Sequence, residues 1–503
     1  MFFATILFLG LFLFLQVGGH QRLLNDPGTY FHTRVGTLIL ERGELPRQDW
    51  FTLQFEGQPW IAQQWLGEVV MAVLYKWGGF DTQLLFALTG ISLFLAWLGG
   101  RLVQRGLHPL LTILLVGMLL DATAHHFLLR PLLVSMLFQG LLVGLLLAVE
   151  GGTLPLAALW ALPPLIVVWA NAHGAVLGGL MTLGLFAGGW VLFLLVGRPG
   201  PVTDRRGVIS LGLVTTVCFL APLVNPYGLD LPRTWGTIMT SPLVEKLVIE
   251  HMPLLALPQG FAVLPLMAFF VFLVLTADRQ RLGVGWLVPF AWMVLAFSRI
   301  RHAPLFAITA AMTFPDLIPS SRVLRWLEGK GLQSARLVPH PPQPGSLFSP
   351  WKPLLGLAGI ILLAGLAVQG AGWRLPVFGR GWATPHPEIW PEEIRPVLEA
   401  FAARHPPKTP VFNEFGAGGY LTFFTPNLQI FLDDRCELAK DAGLREYVEA
   451  QKDPRIIASW TARYAFAGAL TFPRSAFDRW FASSPAYLVT ASCPVGVWYE
   501  RRP

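Results

Sequence analysis

Long apolar runs separated by short polar breaks fill the chain up to about residue 371, after which the pattern changes. Beyond a first run that ends at Gly18, they lie at roughly 81–100, 109–124, 131–149, 155–170, 175–196, 207–224, 260–276, 284–297, 303–318 and 353–371. A helix of about 17–25 apolar residues crosses about 30 Å of hydrocarbon, so these runs predict about eleven spans. The first lacks a basic leading region and a clear A-x-A cleavage site, which predicts a retained helix rather than a signal peptide. Residues 20–80 interrupt the series with a polar, Trp-rich segment that holds Asp26, His32, Pro46, Asp49 and Trp60. Its second half, 61–77, alternates like an amphipathic helix lying at the membrane interface.

From residue 372 to Pro503 the apolar runs shorten. A proline and two glutamates open a predicted helix at 391–404. Strand-like runs follow at 410–412, 428–432, 464–471 and 487–500, with a helix near 441–460. The expected architecture is therefore an α-helical polytopic membrane domain over 1–371 and a small C-terminal α/β domain over 372–503. The segment 319–352, with its Pro-rich part 339–350, reads as a cytoplasmic linker.

Composition sharpens this picture. Of 503 residues 54% are hydrophobic and 13% charged, against about 25% charged in soluble proteins, which excludes a water-soluble layered fold. The net charge of +7 is explained by basic cytoplasmic loops. No basic stripe is interleaved with stacking aromatics, so nucleic acid is not an expected partner. With residue 20 outside, Arg101, Arg105, Arg198, Arg205, Arg206, Arg279, Arg281, Arg322, Arg325, Lys330, Arg336 and Lys352 all fall inside. The C-terminal domain then emerges on the extracytoplasmic side, where Cys436 and Cys493 could pair.

This topology, set by loop arginines and lysines alone, puts the remaining polar groups on one face. Asp26, His32 and Asp49 occupy the first outer segment; His125, His126 and Arg130 the next outer turn; Asn171 and His173 another. Asn225, Glu250 and His251 lie in a long outer loop, and Arg299, Arg301 and His302 at the turn before the tenth span. Charges near lipid are costly unless paired or hydrated, so this convergence predicts a shared polar cavity, the plainer alternative being loop residues that snorkel or neutralise one another. Carboxylates can serve as general bases toward a hydroxyl or amine, and arginine forks bind phosphate bidentately. Transporters also gather charges between helices, so this reading leaves transfer and transport open.

Asp26-Pro27-Gly28-Thr29-Tyr30-Phe31-His32 is followed by Gly43-x-x-Pro46-x-x-Asp49, Gly57-x-Pro59-Trp60 and Gln64-Trp65-Leu66-x-Glu68. Further blocks are Arg130-Pro131 with Ser135, Trp169-x-Asn171-x-His173-Gly174, Asn225-Pro226-x-Gly228, Ile249-Glu250-His251-x-Pro253 and Arg299-x-Arg301-His302-x-Pro304-Leu305-Phe306. In this order they resemble a large bacterial family of membrane glycosyltransferases with the GT-C architecture. The tail run Asn413-Glu414-Phe415-Gly416-Ala417-Gly418-Gly419-Tyr420-Leu421 and Asp433-Asp434-Arg435 looks like the module after the last span of such proteins, loosely similar to the acceptor-side region of oligosaccharyltransferases. A glycine cluster beside a strand also reads as a tight turn.

The resemblance implies transfer of a sugar from a polyprenyl-phosphate donor to a lipid, glycan or protein acceptor, outside a bacterial plasma membrane. It maps the base or acceptor-positioning role onto Asp26, with Asp49 second. His32, Arg130, His173, Glu250, Arg299, Arg301 and His302 are the candidate substrate contacts. The resemblance fixes no cofactor and leaves a divalent cation as an option, which Gly28, interrupting an Asp-x-Asp pattern, argues against at that spot. A transporter, a non-catalytic scaffold, or an O-antigen ligase or polymerase with a diphosphate-linked donor are the alternatives. Broken helices in paired repeats would favour transport, and no internal symmetry is visible.

Overall fold

The computed structural model describes residues 2–241, 243, 248–330 and 351–503. The Pro-rich segment 339–350 and Arg336 lie outside the described residues. The first part of the chain folds as α1 (Phe2–Gly19), α2 (Pro27–Arg42), α3 (Trp65–Gly78), α4 (Phe80–Gln104), α5 (Pro109–Ala124), α6 (Leu132–Glu150) and α7 (Leu162–Ala172). After these come α8 (Val176–Leu195), α9 (Arg205–Leu220), α10 (Asp230–Thr240), α11 (Leu264–Thr276), α12 (Val288–Ser298), α13 (Ala303–Ser320), α14 (Arg322–Gly329) and α15 (Trp351–Gly370). Every apolar run read from the sequence is helical. Among the described residues seven helical stretches are long and apolar enough to cross a membrane, and three shorter apolar ones accompany them. α13 differs: nearly all of it is buried in protein, against α5, α6, α11 and α12. It carries Pro315 and Pro319 within the helix.

The first polar segment is more ordered than its sequence suggested. Asp26 caps α2 by accepting the Gly28 N–H at 2.7 Å, Pro27 fills the first turn, and Gly43 closes the helix with φ +68°. These are ordinary start and stop signals; the scattered apolar positions of α2 hid the helix between them. The predicted interfacial helix begins four residues later than expected, as α3, and packs along α2.

The tail continues with α16 (Arg395–Arg404), β1 (Thr409–Asn413), α17 (Gly418–Phe424), β2 (Leu428–Ile430), α18 (Cys436–Ala450), α19 (Pro454–Tyr464), β3 (Gly468–Thr471), α20 (Ala476–Ser483), β4 (Tyr487–Cys493) and β5 (Gly496–Arg501). The sheet order is β2-β1-β3-β5-β4, parallel from β2 to β3 and antiparallel through the β4–β5 hairpin. The run at 464–471 is thus only a short strand, and 487–500 is two strands. The single helix expected near 441–460 is two, because Asp453 caps a new helix that Pro454 opens. Cys436 and Cys493 are free thiols, so the disulfide expectation is corrected.

The tail is docked on the first loop. Thr52 bridges to Ile430 and the Leu53 N–H donates to the Ile430 carbonyl at 2.8 Å, so loop backbone covers the β2 edge. Tyr30 of α2 is fully buried among Phe80, Trp390, Tyr420 and Phe424. Trp390 Nε1 donates to the Leu24 carbonyl at 2.8 Å.

Candidate active site between the first loop and the tail

Two Arg–carboxylate clusters form where loop and tail meet. In the first, Arg435 donates to Asp49 and to Asp433, each at 2.6 Å, with its guanidinium over the rings of Trp60, Phe31 and Phe51. Asp49 also accepts the Thr52 hydroxyl at 2.6 Å and the Phe51 and Thr52 N–H groups. The second catalytic assignment is therefore corrected: Asp49 is fully enclosed and fully bonded, and it ties the first loop to the tail.

In the second cluster Arg130 meets Asp26 at 3.0 Å and donates to Glu250 at 2.9 Å. Gly28 allows this approach, because a Cβ there would stand 2.7 Å from Arg130 Nε. The glycine that interrupts an Asp-x-Asp pattern is thus the space a guanidinium needs. Burial alone would raise Glu250, but Arg130 above all holds it below the usual carboxylate range. Burial raises Asp26 in spite of Arg130. His32, one turn along α2, bonds Glu68 at 2.8 Å and joins this group rather than the cavity wall.

A cavity of about 690 Å³ opens beside Arg130. Arg130, His173, Glu250, Arg299, Arg301 and His302 line it. Six of the nine residues singled out from sequence thus share one space; Asp26 touches it through Arg130, and His32 and Asp49 lie behind. Much of the remaining wall is apolar, with Leu132, Met136, Leu177, Trp292, Leu305 and Ile308 among its residues. His173 Nδ1 lies 2.9 Å from the Ser135 hydroxyl and accepts the Ala175 N–H at 3.1 Å, which fixes its ring. His302 is held by the Leu295 carbonyl at 3.0 Å. Arg301 bonds His251, and among the described residues no carboxylate lies within 4.0 Å of it. His126, buried on the same wall, has no hydrogen-bond partner on either ring nitrogen. Burial pushes His126 and His173 down to about 3, with nearby Arg301 and Arg130 adding to the effect.

Sequence reasoning recorded Asp434 only as part of a tail motif. Burial, reinforced by Asp26, pushes its carboxyl up to about 7. The signal was the doublet Asp433-Asp434 before Arg435: one aspartate binds the arginine and the next stays free for the site. The glycine cluster upstream begins with a tight 3-10 turn, Phe415–Ala417, in which the Ala417 N–H donates to the Glu414 carbonyl at 2.9 Å. Gly418 and Gly419 open α17, where a Cβ on Gly419 would stand 2.2 Å from the Pro27 carbonyl and one on Gly418 2.5 Å from that of Leu432. Their bareness lets the start of α17 touch both the Leu432–Asp433 backbone and the start of α2. Asn171 and Asn225 are structural: Asn171 accepts from Trp65 Nε1 at 2.7 Å, and Asn225 closes its own turn.

Among the described residues no group of three or more His, Cys, Asp or Glu side chains is arranged to hold a metal ion. Arg130 occupies the space between Asp26 and Glu250 that a bridging cation would need.

No protein-family model matches the chain, and no curated protein matches it in sequence. Solved structures do. ArnT from Cupriavidus metallidurans, bound to undecaprenyl phosphate, superposes with TM-score 0.50 at 17% identity, over 98% of this chain and 97% of that one. The archaeal oligosaccharyltransferase AglB from Archaeoglobus fulgidus, in complex with an inhibitory peptide and a dolichol-phosphate, gives TM-score 0.56 at 12% identity, over 90% of this chain and 66% of that one. The apo oligosaccharyltransferase from Archaeoglobus fulgidus gives 0.57 at 11% identity, over 93% and 69%. The chain has the fold of GT-C membrane proteins.

Proposed function

We propose that this GT-C-fold chain is a membrane glycosyltransferase, moving a sugar from a polyprenyl-phosphate carrier to an acceptor on the extracytoplasmic face of a bacterial plasma membrane. The observation that carries the reading is Arg301: its guanidinium lines the cavity with no carboxylate within 4.0 Å among the described residues, Glu250 acting on it only from a distance and already bonded to Arg130, which calls for an anion. ArnT and AglB, which share the fold, were solved with polyprenyl phosphates bound. The apolar walls suit an isoprenoid tail, and Arg301 and Arg130 suit its phosphate.

In this reading the sugar's anomeric carbon sits between the cavity and Asp26. As the acceptor oxygen bonds to that carbon, the bond to the phosphate oxygen breaks, and Arg301 and Arg130 meet the growing charge. Asp26 keeps Arg130 oriented and helps position the acceptor. The tail docks over the first loop, extracytoplasmic by the distribution of loop arginines and lysines, and closes the site from above.

Undecaprenyl phosphate titrated into the purified chain tests this. The parent is expected to bind it, and Arg301→Lys, which loses the planar fork, to lose at least about tenfold in affinity, nearly as much as Arg301→Ala. Parent-like binding by both variants would remove Arg301 from the site and the reading with it.

A further inference from the structure

Nearly every carboxylate at the junction has a donor. Asp26 has Gly28 N–H and Arg130, Glu250 has Arg130, Glu68 has His32, and Asp49 and Asp433 share Arg435. Asp434 is different. Among the described residues no cation lies within 4.0 Å of its carboxylate and no group donates a hydrogen bond to it. Its place is nevertheless fixed on both sides, by Asp433 and Arg435 in their aromatic cage. Gly418 packs against the Leu432–Asp433 backbone and Gly419 against Pro27, next to the capping Asp26. A carboxylate held this firmly and left unbonded in a polar cluster is a poor structural element and a good proton acceptor.

We propose that Asp434 is the catalytic residue that takes the proton from the acceptor hydroxyl, with Asp26 orienting Arg130 rather than acting as the base. The proposal rests on the glycosyl-transfer reading above. The acceptor O–H bond breaks and its proton passes to a carboxylate oxygen of Asp434. The freed electron pair bonds the acceptor oxygen to the anomeric carbon. The bond from that carbon to the carrier's phosphate oxygen breaks, and its electrons stay on the phosphate, facing Arg130 and Arg301. The donor thus enters from the apolar cavity and the acceptor from the side of the tail.

The charged groups acting on Asp434 are Asp26 and His32 from the start of α2, Arg130 from the turn before α6, and Asp433 on its own segment. Burial and Asp26 together hold its carboxyl near 7, so it is protonated below neutrality and ready to accept above it. The Asp26 carboxylate, by contrast, already has an arginine and an N–H bonded to it.

The test uses the full chain in nanodiscs. Dicyclohexylcarbodiimide, which attacks protonated buried carboxyls, is expected to label Asp434 with a midpoint near pH 7. In parallel, a panel of undecaprenyl-phosphate-linked hexoses and pentoses is offered with an extract of bacterial envelope lipids and glycans. Asp434→Asn should bind undecaprenyl phosphate within about twofold of the parent, yet turn over at least about a hundredfold more slowly, the usual range for a lost general base. It should also lose the rise in rate as pH passes 7, while Asp434→Glu keeps that rise at a reduced rate. Unchanged turnover and pH profile in Asp434→Asn, or a labelling midpoint below about 5, in the ordinary carboxylate range, overturns the proposal. A parent that binds undecaprenyl phosphate but processes none of the panel leaves the labelling midpoint to decide. A parent that neither binds it nor processes any donor instead defeats the glycosyl-transfer reading beneath.

Discussion

Arg435 and Arg130 each bridge two carboxylates, and they stand on neighbouring faces of the junction between loop and tail. Arg435 is 5% exposed, caged by three aromatic rings, and its two partners come from the two regions it joins. Arg130 is 21% exposed and faces a cavity whose wall also holds Arg301, which has no carboxylate within 4.0 Å among the described residues. An ion cluster enclosed by aromatic rings and tied to both regions serves the fold; one that opens on a cavity, beside a second arginine with no carboxylate within 4.0 Å among the described residues, is placed for a ligand. The difference is legible only in partners and surroundings, since both clusters are built from the same residue types.

Variants that break one cluster should therefore differ in kind from variants that break the other. Arg435→Met is expected to have the largest effect, because it strands Asp49 and Asp433 without their cation; such losses cost about 3–5 kcal/mol. Thermal unfolding in detergent, followed by Trp fluorescence, should show a large drop in Tm. Arg301→Met should leave Tm nearly unchanged or raise it, while undecaprenyl phosphate binding falls. Equal Tm losses in the two variants would erase the distinction.

Next in size is Gly419→Ala. The added methyl would overlap the Pro27 carbonyl, and backbone cannot yield as a flexible side chain can. Overpacking of this kind costs about 1–3 kcal/mol. Limited proteolysis should cut faster between α2 and the tail, and turnover should fall with it. Parent-like cleavage would mean that the two regions do not depend on this contact for docking.

The two aspartates once ranked together make the third contrast. Asp49→Asn weakens a buried charge-assisted bond, at about 1–3 kcal/mol, and is read as lower Tm with undecaprenyl phosphate binding retained. Asp26→Asn should keep the fold and slow turnover by roughly tenfold, less than Asp434→Asn, because a positioning group aids transfer without carrying the proton. A hundredfold loss in Asp26→Asn together with an unaffected Asp434→Asn would reverse the two roles.

How much of this could be read beforehand follows from what local sequence encodes. Apolar runs mark helices because lipid admits little else, so every one of them was legible. The convergence of Arg130, His173, Glu250, Arg299, Arg301 and His302 was also legible, because loop charges fix topology and topology assigns faces. Asp49 and Asp26 could not be told apart, because the deciding partner of Asp49 is Arg435, 386 residues away. Asp434 was missed for the same reason: its role follows from docking against α2, which the glycines permit without specifying the partner. α2 itself carried its signals in Asp26-Pro27 and Gly43, and they were read as loop punctuation because the apolar stripe between them is weak.

The last expected effect concerns acid. His126 and His173 are held neutral by burial and by the arginines around them, with values pushed down to about 3. An unfolded histidine titrates near 6.5, so below that pH the unfolded chain binds protons that the folded cavity refuses. The stability these two neutral rings preserve is complete above 6.5 and is lost as pH falls toward 3. The slope is at most about 1.4 kcal/mol per pH unit for each ring. Tm should therefore decline between pH 6.5 and 5, and less steeply in His126→Asn. A bound anion changes the sign of the neighbourhood: undecaprenyl phosphate placed against Arg301 offsets the positive field and lets the histidines protonate in the folded state. The decline should then flatten when the lipid is added to the parent, and not when it is added to Arg301→Ala. A pH dependence indifferent to the lipid would mean that the phosphate sits elsewhere, and the cavity would lose its claim to be the ligand-binding counterpart of the Arg435 clamp.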